Sequence, residues 1–115
     1  MKYTRIYADA QGESHFEDVE VPLVPNGLVG SLSEKIPIST MQFRLNKPDY
    51  DWDFHTAPAR QFIILLDGAI EITTSLGESR TFKAGEVLLV EDTTGKGHKT
   101  RNIHHAERRS IFIQI

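Results

Sequence analysis

The sequence predicts an all-β protein, an antiparallel barrel or sandwich, from three observations. Short β-rich runs recur along the whole chain, turn residues separate them, and no stretch carries a convincing helical period. Strands spaced about eight to twelve residues apart with such turns favour a sandwich or barrel over a parallel α/β sheet. No internal repeat or low-complexity segment interrupts the pattern.

The predicted strands follow one another with clear turn signals between them. The hairpin at Asp67-Gly68, between the runs IILL and AIEI, is the strongest local signal in the chain. Unbroken apolar runs at residues 62–66 and 87–90 indicate strands covered on both faces, whereas residues 41–45 alternate as in a half-buried strand. The predicted strands cover residues 3–8, 15–21, 37–45, 61–66, 69–75, 87–91, 99–103 and 109–115.

Composition limits the classes of function. A chain of 115 residues fits one domain, residues 1–115, and its net charge of -3 gives no basic footprint for nucleic acid. No apolar run approaches the roughly 20 residues that span a bilayer, and residues 1–14 do not read as a secretory signal. The absence of cysteine excludes disulfides, thiolate ligands and cysteine nucleophiles. A cytoplasmic location is the default expectation.

The amino-terminal part, residues 1–27, is predicted to be a hairpin followed by a crossing segment. Proline cannot donate to a strand ladder, so VPLVPNG at residues 21–27 reads as an edge or crossing segment. The hairpin would then be an appendage to a barrel formed by residues 36–115. Its large side chains need cover, which we expect from a second subunit in a homodimer; folding back on its own barrel is the alternative. Those side chains are Tyr3, Tyr7, Phe16 and Val19.

Two motifs carry a family resemblance. In the first, His55 is followed by Ala57, Gln61 and a closing Gly68, with Asp49 six residues before His55. This order resembles the first cupin motif, in which glycine opens, two histidines and a glutamate follow, and glycine closes. Asp49 replaces the opening glycine, Ala57 the second histidine, and Gln61 the glutamate.

The second motif lies downstream, where Gly85, Gly95, His98 and Asn102 match the second cupin motif at nearly standard spacing. Glu91 replaces its proline. The resemblance covers about residues 40–115 and implies a small cupin, an antiparallel jelly-roll barrel (double-stranded β-helix) with a site in its mouth. It also implies three histidines and a glutamate as ligands of a divalent metal. This chain keeps only two of those four residues.

The residues themselves leave three interpretations open. His55, Gln61 and His98 could bind iron, manganese, nickel or zinc, with Asp53 or a substrate oxygen completing the shell. In the second interpretation the barrel is metal-free, and His55 or His98 is the general acid or base of an isomerase or epimerase. In the third, the histidines are hydrogen-bonded core residues of a non-catalytic binding or sensor module.

The functional prediction is a small cupin that binds a small oxygen-bearing organic molecule in the barrel mouth. It could be a metal-dependent oxygenase or isomerase, a metal-free isomerase, or a binding module. We expect His55 and His98 to be catalytic, and Asp53 and Asn102 to contact the substrate. Strand alternation places Asp53 and His55 on one face and Trp52 on the other.

Two acidic residues precede His98. Either Glu91 or Asp92 could orient this histidine from behind, or both could be solvated loop residues.

Overall fold

The computed structural model describes residues 1–115, which form twelve strands and a 3₁₀ turn at Gly27–Val29. In chain order the strands are β1 (Lys2–Ala8), β2 (Ser14–Glu20), β3 (Val24–Pro25), β4 (Ser31–Leu32), β5 (Thr40–Asn46), β6 (Asp51–His55), β7 (Gln61–Leu65), β8 (Ala69–Thr74), β9 (Ser79–Lys83), β10 (Val87–Val90), β11 (His98–Asn102) and β12 (Arg108–Gln114).

Two facing sheets make the body of the fold. The larger has six strands in the order β2-β1-β10-β7-β12-β5, and the smaller has four in the order β6-β11-β8-β9. All pairings in these sheets are antiparallel except that of β1 with β10, which is parallel. The predicted all-β, jelly-roll architecture is confirmed.

The core lies between the sheets and comes from both. Ile6 is fully buried within it, although it belongs to the amino-terminal hairpin. Burying one such side chain contributes about 1.5–3 kcal/mol to the free energy of unfolding. The buried cluster consists of Ile6, Ala57, Leu65, Ile70, Ile72, Phe82, Leu88 and Val90.

The hairpin β1–β2 is an integral part of the larger sheet, not the appendage expected from the sequence. Tyr3 packs edge-on against Phe62 with ring centroids 5.4 Å apart, and Phe16 lies 6.0 Å from Phe82. This hairpin therefore finds its cover within its own chain, the alternative that the sequence left open. The homodimer stays a prediction and needs a different surface.

A long exposed segment follows the amino-terminal hairpin and runs into the first half of β5. Every residue from 22 to 43 is exposed, including strands β3 and β4, which pair only with each other. No helix in the structure has the length and apolar character that crossing a membrane would need.

Candidate functional site

A cavity of about 290 Å³ opens between the two sheets. Its apolar surface is formed mainly by core strands of both sheets, whereas its polar surface comes from β5, β6, β7, β11 and β12 and from Tyr50 before β6. The polar and aromatic residues that line it are Gln42, Phe43, Arg44, Tyr50, Trp52, His55, Gln61, His98, Thr100, Arg108, Phe112 and Gln114.

His98 and Asp92 form a buried pair at this cavity. His98 Nδ1 lies 2.6 Å from Asp92 Oδ2, and the two side chains are 5% and 0% exposed. Because the carboxyl oxygen accepts from Nδ1, the second ring nitrogen, Nε2, is left free. Ala57 N donates to Asp92 O over 3.0 Å, which holds the backbone at Asp92. Of the two acidic residues before His98, Asp92 is thus the one that orients it.

Glu91 has another role. Its carboxylate bridges Arg5 and Arg60, with Nε–O distances of 2.7 and 2.6 Å. The residue lies on the larger sheet's side of the turn and does not reach His98.

His55 faces His98 from the neighbouring strand. The two residues are direct partners in the pairing of β11 with β6, and their ring centroids are 4.7 Å apart. His55 Nδ1 donates to Asp53 O over 2.8 Å, so its Nε2 is also free. Burial lowers the pKa of His55, and the neighbouring His98 acts in the same direction, whereas the bond to Asp53 O opposes them. His55 is therefore neutral at neutral pH.

A β-bulge in β6 reverses the predicted facing of Trp52 and Asp53. His98 pairs with His55 but Thr100 pairs with Trp52, so β6 carries one extra residue between these positions. Trp52 consequently lies on the same side as His55, and their rings stack with centroids 3.6 Å apart. The sequence-based placement of Trp52 on the opposite face was wrong because strict alternation assumes an unbroken ladder.

Asp53 lies outside the cavity. Its side chain is exposed, and its Oδ1 accepts from Phe54 N over 2.8 Å. It neither completes a metal shell nor lines the space for a substrate, which corrects the role expected for it. Its contribution is the backbone oxygen that holds His55.

Asn102 also lies outside the cavity, but it positions a residue that does line it. Asn102 Nδ2 donates to Lys47 O and Ala106 O, and Asn102 Oδ1 accepts from Arg108 Nε over 2.9 Å. All of its polar atoms are therefore engaged within the protein. The substrate contact predicted for Asn102 is corrected to a contact with Arg108.

Arg108 and Arg44 bring two guanidinium groups to the cavity, and sequence reasoning missed both as site residues. Arg108 is 3% exposed and donates to Asn102 and to Asn46 Oδ1. Arg44 lies over the rings of Tyr50 and Phe112, at 5.4 and 4.9 Å from their centroids. The sequence did not indicate this, since Arg44 alternates with apolar neighbours in β5, a pattern that predicts a solvent-facing arginine.

Tyr50 places a phenol in the same space. Thr100 Oγ1 donates to Tyr50 Oη over 3.1 Å, so the phenol keeps its own proton free for the cavity. Nothing in its local sequence distinguishes this tyrosine from a packing residue.

The donor set does not fit a resident divalent ion. The cavity offers two neutral imidazoles and the carboxamide of Gln61, which is 6% exposed. No group of three or more His, Cys, Asp or Glu side chains is suitably arranged. The nearest carboxyl group, on Asp92, is bound to His98 Nδ1 and lies behind the ring. A carboxamide is an uncharged, weak ligand, so the set lacks the charged donor that divalent ions favour.

Comparisons with known proteins agree on the fold. No family model matches the chain, and no curated protein matches it by sequence. Among solved structures, the cupin domain of Schizosaccharomyces pombe Cnp3 is similar to it with a TM-score of 0.54 at 15% identity, over 87% of this chain and 70% of that one. Protein NMB1881 from Neisseria meningitidis is similar with a TM-score of 0.50 at 18% identity, over 84% of this chain and 82% of that one.

These likenesses, together with the two facing sheets, define the class: the chain has the fold of a small cupin. At such low identity they say nothing of its ligand.

Proposed function

We propose that this protein is a metal-independent proton-transfer enzyme of the isomerase or epimerase type, acting on a small oxygen-bearing organic molecule. The observation that supports it best is the His98–Asp92 pair at 2.6 Å, with Asp92 fully buried. A carboxyl group behind a histidine fixes the tautomer and stabilises the imidazolium that forms when Nε2 takes a proton.

The surroundings of the pair suit this chemistry. His98 Nε2 would take a proton from a carbon next to a carbonyl group, and the electrons of the C–H bond would move to the carbonyl oxygen as an enolate. The Tyr50 phenol or a guanidinium of the cavity would then stabilise that oxygen. Return of the proton to the same or another carbon gives an epimer or isomer, so no oxidant or second substrate is needed.

The incomplete hydrogen bonding of Asp92 fits a charge-stabilising role. Its second oxygen, Oδ1, is buried and has no hydrogen-bond partner in the protein. A buried carboxyl group that is only half satisfied is costly for stability alone. A purely structural carboxyl group would gain more from a full set of partners, whereas one that stabilises a transient imidazolium needs only the contact with Nδ1.

The proposal is tested by following hydrogen exchange on small carbonyl compounds in D₂O by proton NMR. We expect one or more of 2-oxobutanoate, dihydroxyacetone and acetoin to exchange a C–H next to the carbonyl faster with protein than without. His98→Gln should lower that rate by about 100-fold, a typical contribution of a general base, and Asp92→Asn by at least about tenfold.

His104→Asn is the matched control. His104 is exposed in the turn before β12 and has a positive φ of 69°, which asparagine tolerates. The hydrogen-exchange rate with the His104→Asn variant should equal that with the wild type. Equal rates in wild type and His98→Gln would contradict the proposal, as would binding of these compounds with no exchange, which would favour a binding module.

A further inference from the structure

The arginines of this chain fall into two groups. Five of them pair with carboxylates at or near the surface: Arg5, Arg60, Arg80, Arg101 and Arg109. Arg44 and Arg108 form no ion pair, and these two line the cavity. The cavity therefore collects the guanidinium groups that the protein leaves without a counter-ion.

Arg108 is the stronger indication that the cavity binds an anion, because it is buried. It is 3% exposed, and its protein partners, Asn46 and Asn102, are uncharged carboxamides. Burial lowers the pKa of Arg108, yet an arginine side chain keeps its proton in proteins. A buried charge without a counter-ion is strongly unfavourable, and an anion in the cavity would remove that cost.

The free hydrogens of Arg108 define the shape of that anion. A guanidinium has five N–H donors, of which Nε and one on Nη2 are taken by the two asparagines. Both hydrogens of Nη1 and the second of Nη2 have no protein partner, and one hydrogen from each nitrogen can form the fork that binds a carboxylate through two parallel hydrogen bonds. Asn46 and Asn102 hold the guanidinium plane so that this fork is fixed in advance.

The rest of the cavity strengthens the preference for an anion. None of its lining residues is acidic, and Gln42, Gln61 and Gln114 are uncharged. Arg44 adds a second positive charge over the Tyr50 and Phe112 rings. The remaining surface is largely apolar and suits a short carbon skeleton.

We propose that the cavity takes a small organic carboxylate, whose carboxylate group binds the free fork of Arg108 while Arg44 adds a second positive charge. This inference rests on the proposed function only because both use the same cavity. The carboxylate would bind Arg108, and the reacting carbon would lie near His98. A monoanion neutralises the buried charge of Arg108 and matches its planar fork.

The test uses the single tryptophan of the chain, Trp52, which lines the cavity and stacks on His55. Its fluorescence is followed during titration with 2-oxobutanoate, with its neutral analogue 2-oxobutanamide and with propyl phosphate. We expect saturable binding of 2-oxobutanoate, and at least about tenfold weaker binding of the amide, because charge-assisted hydrogen bonds are lost.

Three variants test whether 2-oxobutanoate binding depends on the cavity arginines in particular or on positive charge in general. Arg108→Met should weaken 2-oxobutanoate binding by about tenfold or more. Arg44→Met should weaken it by about threefold or more; Arg44 has no ion pair, so its removal leaves no carboxylate unpaired. Arg109→Met is the matched control, because Arg109 is next to Arg108 in sequence but pairs with Asp67 and is 67% exposed. This variant should bind 2-oxobutanoate as the wild type does.

The outcomes distinguish this inference from the proposed function. Equal binding of acid and amide, tighter binding of propyl phosphate than of the acid, or wild-type binding by Arg44→Met would overturn the carboxylate assignment. If Arg108→Met does not fold, as judged by circular dichroism, the Arg44→Met and amide titrations decide. Binding that depends on the arginines without hydrogen exchange would support the carboxylate site and reject the catalytic proposal.

Discussion

Gln61 is the residue at which the site departs most from a metal centre. It lines the cavity with His55 and His98, both of which keep Nε2 free. Replacing its carboxamide with a carboxylate would supply the charged donor that is missing and give a set of two histidines and one carboxylate.

We therefore expect Gln61→Glu to bind Mn²⁺, Ni²⁺ or Zn²⁺ at least about tenfold more tightly than the wild type. Calorimetric titration and elemental analysis of protein without a histidine tag would measure this. The double variant Gln61→Glu/His55→Ala should lose the gain. Tight binding of about one equivalent by the wild type would instead mean that the carboxamide suffices, and would restore the metal interpretation.

Among the individual side chains, the two histidines could be paired from the sequence, but their hydrogen-bond partners could not be assigned. His55 and His98 stand at matched motif positions, and the structure places their rings 4.7 Å apart. Asp53, Trp52 and Asn102 were misplaced because a bulge and a hydrogen-bonded turn decide where they point. Arg108 could not be found, since a buried arginine without a counter-ion looks the same in sequence as one in a surface ion pair.

Among the structural elements, β6 and the start of β11 set the geometry of the histidine pair. Gly97, just before β11, lies so close to β6 that a Cβ at this position would be 2.0 Å from His55 O. Its φ of +73° also belongs to the region that favours glycine. The hairpin β1–β2 supports the same loop, because Ser14 Oγ donates to Gly97 O over 2.7 Å.

Gly97→Ala should therefore destabilise the fold and displace His55. Gly77→Ala is the matched control: its φ is +92°, but a Cβ there would meet nothing within 4 Å. Both variants carry the backbone cost of about 1–2 kcal/mol for a left-handed residue, and Gly97→Ala adds a backbone clash.

Urea unfolding would measure the difference, and Trp52 fluorescence would report the displaced His55 ring that stacks on it. Equal stabilities for the two variants would show that the contact between Gly97 and β6 does not constrain the site.

Strand prediction succeeded where local pattern and tertiary environment agree. The hairpin at Asp67-Gly68 and the apolar strands β7 and β10 correspond to clear signals. Strand β9, Ser79–Lys83, was missed because Phe82 is its only apolar residue and the other inward position holds Arg80, so the sequence shows no apolar alternation. The parallel pairing of β1 with β10 joins residues far apart in sequence, and no local pattern encodes it.

The exposed segment at residues 22–43 indicates where a second copy of the chain would bind. Leu28, Val29 and Phe43 are 109%, 71% and 76% exposed. Strand β5 is also the edge of the larger sheet, so its outer backbone groups are unpaired. A monomer rarely exposes so many large apolar side chains in one segment.

We propose that the protein is a homodimer in which this segment and the edge strand β5 of each copy cover those of the other. Segment and edge lie on the same chain, so the contacts can be reciprocal, as two-fold symmetry requires. Because Phe43 also lines the cavity, such a partner would cover its mouth.

Sedimentation at low micromolar concentration should show a dimer for the wild type and a monomer for Leu28→Asp and Phe43→Asp. Leu76→Asp is the control, since Leu76 is 66% exposed but lies in the turn between β8 and β9. A monomeric wild type would contradict the dimer, and dissociation by Leu76→Asp would place the interface elsewhere.

The proposed chemistry is proton transfer by the His98–Asp92 pair in this cavity, without a metal. The most direct test uses a compound whose hydrogen exchange depends on His98. Its exchange rate is measured with the protein before and after exhaustive treatment of the protein with EDTA. We predict the same rate in both samples, and no increase when Mn²⁺, Fe²⁺, Ni²⁺ or Zn²⁺ is added back. Loss of exchange on treatment with EDTA, restored by one of these ions, would contradict metal-independent proton transfer.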